Sequence, residues 1–161
     1  MRWGIMCWVL RCGVGLSVIL AVSACRQNSE PADLTFTLTS IEGTYFIIGL
    51  ESEGEAMTPA ELAKAQDAER TIRITATQMI TTRHGEDDPV NYTINTSRQP
   101  FEIDMTGVGD TSEEKTYGIF KVEGNRLYIC AVESTNPDDR PKEFKTTKEN
   151  KAMLMVLQKQ P

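Results

Sequence analysis

Histidine occurs once in 161 residues, at His84, and three of the four cysteines, Cys7, Cys12 and Cys25, fall in the N-terminal segment, leaving the rest of the chain with Cys130 alone. These scarcities exclude much chemistry. No internal disulfide can form in the body of the chain, whatever its redox compartment. A cysteine nucleophile needs a base, and His84 lies far along the sequence, so Cys130 in Leu127-Tyr128-Ile129-Cys130-Ala131 reads as a small buried hydrophobe. His84 is followed by Glu86, Asp87 and Asp88, but neither zinc nor calcium ligand spacing is present, and the group reads as a solvated turn. A Gly-x-Ser-x-Gly elbow, a phosphate loop, a dinucleotide fingerprint and a zinc-protease helix are all missing. Glu102 and Asp104 share one strand face, two residues apart, as acids on exposed faces commonly do; one strand does not fix a glycosidase geometry. No catalytic residue, metal or cofactor is expected.

Positive charge is also in short supply. Seventeen Lys and Arg face 23 Asp and Glu, a net charge of -6, and Arg2 and Arg11 belong to a segment read below as removed. An acidic surface repels phosphate backbones, so nucleic acid is not an expected partner. The length suits one domain, and 25% charged with 40% hydrophobic residues is the composition of a folded chain rather than a disordered tail. There is no internal repeat and no low-complexity tract.

What is present begins with an address. Arg2 and Arg11 precede an apolar run from Val14 to Val22, short against the roughly 20 residues of a spanning helix, and small residues follow. That is the layout of a secretory signal. Val22-Ser23-Ala24-Cys25 resembles the lipobox of bacterial lipoproteins, in which the cysteine sulfur is acylated and the peptide is cut before it. Two or three acyl chains, at roughly 0.8 kcal/mol per buried methylene, hold a protein on a membrane. Cys25 is therefore the expected lipidation site and the membrane an expected partner. In proteobacterial lipoproteins an aspartate after the cysteine favours the inner membrane; Arg26 stands there, which favours the outer membrane, facing the periplasm. The expected division is a signal peptide over 1–24, the lipidated cysteine and a Pro31-containing tether over 25–40, and a folded domain over 41–160. Within the tether, Leu34, Phe36 and Leu38 alternate with threonines, as in an extended lead-in.

The domain has a period of two almost throughout. Tyr45 to Leu50 is apolar on both faces. Thr58-Pro59-Ala60-Glu61 starts a helix, with a threonine cap and proline at the first helical position, expected to run to Ala68. Ile72, Ile74 and Ala76 alternate with polar residues; Met79 to Thr82 is a second short run, and His84 to Pro89 reads as a turn. Val90, Tyr92 and Ile94, then Phe101, Ile103 and Met105, each put one apolar face against one wet face. Tyr117 to Val122 and Arg126 to Ala131 meet at Gly124-Asn125, a dipeptide suited to a primed hairpin turn. Ala152 to Leu157 is apolar throughout and is expected to pair with the first strand and close the sheet. About eight short strands at this spacing predict a mainly β, antiparallel barrel with one short helix after the first strand.

Three short motifs carry a family resemblance. Ile41-Glu42-Gly43-Thr44-Tyr45, Pro100-Phe101-Glu102-Ile103-Asp104 and Arg140-Pro141-Lys142-Glu143-Phe144 resemble the entry, mid-domain and Arg-Pro-x-Glu-Phe signatures of a small uncharacterised lipocalin-like domain abundant in planctomycete secreted proteins and lipoproteins. Tyr45 stands where the family more often has tryptophan. The resemblance implies a lipocalin or calycin-like barrel in which Tyr45, Arg140 and Phe144 form a structural latch at one barrel end, the guanidinium covering the aromatic plug and bonding backbone carbonyls.

Together these features predict a lipid-anchored, non-enzymatic cell-envelope module that binds a small apolar ligand or an envelope protein. Ile72, Ile74, Tyr92, Ile94, Phe101, Ile103 and Tyr117 are the candidate ligand-lining residues, since a barrel of eight strands can enclose one small molecule. The alternatives are a filled barrel acting only as a structural or interaction module, and a hydrolase or metal enzyme using His84 or Glu102.

Overall fold

The computed structural model describes residues 41–64, 67 and 69–161; Cys25 and the tether lie outside the described residues. The strands are β1 (Gly43–Ser52), β2 (Glu55–Ala56), β3 (Thr71–Ile74), β4 (Gln78–Arg83), β5 (Glu86–Asn95), β6 (Phe101–Gly107), β7 (Lys115–Glu123), β8 (Arg126–Ser134) and β9 (Met153–Lys159). All pairings are antiparallel; β1, β3 and then β4 through β9 follow in order, and β9 returns to β1. Eight strands thus close a barrel, and the short β2 is added to the far end of β1. Closure leaves the eight without free edges. The expected class and the expected closing strand are both present.

Turn chemistry sets the register. Gly124 adopts φ 61° between the paired Glu123 and Arg126, giving the two-residue β7–β8 turn. Between β4 and β5 the turn is shorter than the expected 84–89: His84 (φ 52°) and Gly85 (φ 85°) suffice, and Glu86 to Pro89 already belong to β5. The acids there stay extended beside cations, with Arg83 Nε 3.1 Å from Asp88 and Arg73 Nη2 3.5 Å from Asp87. A register shift between Ile47 and Gly49 marks a bulge in β1, a device that bends a strand around a barrel.

The helix α1 (Pro59–Leu62) is shorter than the expected run to Ala68. Its start follows the sequence, with Thr58 Oγ1 accepting from Glu61 N and Glu61 Oε2 accepting from Thr58 N. Leu62 is its one buried side chain, and Ala63, which caps its C-terminus, adds little apolar area.

Strand alternation sorts side chains into an inside and an outside. Each of the eight barrel strands sends at least one buried side chain into a single interior cluster, from Tyr45 on β1 to Leu157 on β9. Phe120 lies at 0% exposure in its midst, its ring centroid 5.5 Å from that of Phe101. Gly118 lets β6, β7 and β8 approach closely: a Cβ there would lie 2.8 Å from Ala131 Cβ, 3.0 Å from Cys130 O and 3.1 Å from Ile103 Cγ2.

Candidate functional site

Antiparallel neighbours share a face, so the pairs Ile103–Gly118 and Asp104–Tyr117 face opposite ways. Ile103 belongs to the interior cluster. Tyr117, Asp104, Glu102 and Ile119 therefore project outward. A second buried cluster lies on that outer side, made of Ile119, Cys130 and Ala152, with Phe144 and Leu154 packed against it. An outer face of this kind is dry only if something covers it.

The cover is the connection from β8 to β9, residues 135–152, which crosses the outside of the wall as a strap. It begins with a single 3-10 turn, Pro137–Asp139, capped by Asn136. Two side chains pin it. Arg140 Nη1 donates to the carbonyls of Ile103 (3.1 Å) and Gly118 (2.7 Å), and Nη2 to Asp104 Oδ1 (2.6 Å). Its Nε lies 3.9 Å from Glu102 Oε1, and the guanidinium carbon is 5.5 Å from the Tyr117 ring centroid. Across the strap, Thr146 is the one buried polar side chain among the described residues. Its hydroxyl donates to Glu51 Oε1 (2.6 Å) and accepts from Gly54 N (2.9 Å), fixing the strap to the β1–β2 turn. Between the pins, Phe144 enters the second cluster with Lys121 Nζ 5.0 Å from its ring centroid. Asn150 holds the return leg, its Nδ2 donating to Lys145 O and its Oδ1 accepting from Thr147 N and Ala152 N.

The sequence-derived candidates are distributed accordingly. Ile72, Ile74, Tyr92 and Ile103 are buried members of the interior cluster, and Ile94 and Phe101 pack against it. Tyr117, grouped with them in the sequence, lies under Arg140 on the outside. Tyr45 is 3% exposed in the interior, and the cation over its ring is Lys159, Nζ 5.8 Å from the centroid. The three latch residues thus do not share one contact: Arg140 stacks on Tyr117, Phe144 on the outer cluster, and Tyr45 inside. Arg140 does bond backbone carbonyls, those of β6 and β7. Glu143 is exposed, as is His84 in its turn.

Burial sets the titration of the inner groups. It raises the Tyr45 hydroxyl, with Tyr92 adding to the effect, and it raises Tyr92, with Glu42 adding. Tyr92 Oη donates to Thr75 O at 2.7 Å. Burial likewise pushes the Cys130 thiol up, against a backbone hydrogen bond with Lys145 that lowers it. A protonated, fully covered thiol is a poor nucleophile. Among the described residues no group of three or more His, Cys, Asp and Glu is placed to hold a metal ion.

Two grooves flank the strap. One, about 450 Å³, runs between Arg98-Gln99-Pro100 of the β5–β6 loop and the strap residues Pro137, Pro141 and Lys142, with Ile119, Glu102 and Arg140 at its floor. The other, about 560 Å³, is bordered by Glu114, Glu133, Asp139, Glu149 and Lys151. Sequence reasoning missed both, and it missed Thr146, because the strap carries no periodicity. Asp104 was detectable, since its alternation with Ile103 places it outside, where a nearby arginine needs an acid. No protein-family model, no curated protein and no solved structure matches the chain.

Proposed function

We propose that the chain is a non-enzymatic lipoprotein of the cell envelope, held on its membrane through an acylated Cys25, and that its barrel is a filled scaffold whose strapped outer face engages a protein partner. The observation that carries this reading is the interior itself. All eight barrel strands contribute buried side chains to one cluster, and neither groove beside the strap is lined by a buried member of it. Close-packed interiors leave few voids larger than a water molecule. A lipid-anchored module of this kind meets its partner with its outside. The motifs that resemble the planctomycete lipocalin-like domain are used here for wall and strap: Gly-Thr-Tyr opens β1, Pro-Phe-Glu-Ile-Asp leads into β6, and Arg-Pro-Lys-Glu-Phe lies within the strap.

The test takes the full chain, expressed in a bacterial envelope and purified in mild detergent. Mass spectrometry should find acyl chains on Cys25, cross-linking in membranes should join strap residues to another protein, and organic extraction should release no stoichiometric apolar molecule beyond the acyl groups. Recovery of one apolar molecule per barrel would overturn the filled-scaffold reading in favour of a carrier.

A further inference from the structure

The geometry points to the Arg98–Lys142 groove as a peptide site that takes an extended, carboxylate-bearing segment of a partner protein; this deepens the reading of the outer face as the interaction surface and rests on it. The argument starts from hydrogen-bond capacity. Arg140, at the floor, commits three of its five N–H donors to Ile103, Gly118 and Asp104, and its Nε faces Glu102 Oε1 at 3.9 Å. Glu102, the acid at the floor, is paired within the protein: its Oε1 accepts from Arg98 Nη1 at 3.2 Å and its Oε2 from Asn95 Nδ2 at 3.0 Å. What remains open on the walls is mainly donors. Arg98 uses only Nη1, its side chain is 71% exposed, and Lys142 forms no ion pair among the described residues. Asp138 is the one carboxylate opposing them on the walls.

Charge contrast supplies the second step. The other strap groove gathers four acids against Lys151, and the whole chain carries -6. An acidic segment approaching the strap is thus repelled on one side and met by guanidinium and ammonium groups on the other. Shape supplies the third. Pro100, Pro137 and Pro141 line the walls, and proline has a fixed φ, so the walls lose little freedom on binding. Ile119 gives the floor an apolar surface, and about 450 Å³ lies within the roughly 300 to 1,000 Å³ typical of ligand sites.

The experiment uses the full chain in detergent micelles and fluorescence anisotropy of a dye-labelled Glu-Pro-Glu-Pro peptide, with Gln-Pro-Gln-Pro and Lys-Pro-Lys-Pro as controls. The acidic peptide should bind, the two controls should not compete, and binding should weaken as salt rises. Arg98→Glu with Lys142→Glu, both on solvent-facing side chains, should weaken it by about tenfold or more, since two charges that attract the peptide's carboxylates then repel them. Lys148→Glu, away from the groove, should leave it unchanged. Equal binding of the three peptides, no binding of the acidic one, or indifference to the double reversal would overturn the assignment. Partner cross-linking that survives the double reversal would remove this groove while leaving the filled-scaffold reading in place.

Discussion

The guanidinium of Arg140 lies 5.5 Å from the centroid of the Tyr117 ring, on the outside of the barrel wall. The contact follows from register. Tyr117 pairs with Asp104, so ring and carboxylate stand side by side on one face, and an arginine arriving from the strap meets both. From the same side its Nη1 also reaches the Ile103 and Gly118 carbonyls. Arg140 thereby ties a loop to two strands that form no part of it.

Replacing Arg140 by alanine should destabilise the fold by about 2–4 kcal/mol, since it removes three hydrogen bonds from a charged side chain that is only 16% exposed and takes the cation from beside Asp104. Arg140→Lys should recover less than half of that, because a point charge cannot serve two carbonyls and a carboxylate at once. Urea unfolding of both variants, followed by tryptophan-independent far-ultraviolet circular dichroism, reads the two values.

The strap's other pin allows a local measurement. Thr146→Val keeps the shape, orphans Gly54 N and frees Glu51, at a cost of about 1–3 kcal/mol. Cys130 is at 0% exposure beneath the strap, so alkylation of its peptide, followed by mass spectrometry, reports lifting of the strap. Labelling should be slow in the parent and faster in Thr146→Val. In the double variant with Arg140→Ala the cost should be less than additive, because one released pin already loosens the segment. Strictly additive costs with unchanged labelling would mean that the two residues do not secure a common element.

The contrast between wall and strap also explains what the sequence could reveal. Where one face is dry and the other wet, as for Val90, Tyr92 and Ile94 or Phe101, Ile103 and Met105, the period of two is visible and the strands lie where it puts them. Gly124 marked its hairpin because a positive φ was needed there. From Tyr117 to Phe120 all four residues are buried, the even ones by the interior and the odd ones by the strap. Alternation vanishes, and Tyr117 is assigned to the wrong side. The cover responsible is itself aperiodic, and its contacts span 36 residues to Asp104 and 95 to Glu51. Only tertiary packing could disclose it.

Alkaline stability should fall in two steps. The Cys130 thiol is raised above its ordinary 9.0, so between that pH and its folded value the unfolded chain has lost a proton that the folded chain keeps. Stability is therefore fully present below about pH 9 and declines as pH rises through the folded value. Tyr45 and Tyr92, raised above 10.0, add the same sign of effect about one unit later. Thermal melts from about pH 7 to 11 should show Cys130→Ala losing the earlier decline but retaining the later one, and Tyr45→Phe weakening the later one. Parallel curves for all three proteins would refute the assignment.

The proposed filled interior makes one further demand, at Phe120. This side chain is the largest of the fully buried ones and packs against Phe101. Cutting it to alanine should cost about 3–5 kcal/mol and leave a cavity the neighbours cannot fully collapse into. Apolar cavities of that size stay dry and accept molecules such as benzene. Saturating benzene should then raise the melting temperature of Phe120→Ala, since a ligand that binds only the folded state stabilises it, and should leave the parent protein unmoved. If the alanine variant does not fold, Phe120→Leu creates a smaller void at about 1 kcal/mol and is tested in the same way. A parent protein that benzene stabilises as much as the variant would have room inside its barrel already, and the scaffold reading would give way to a carrier.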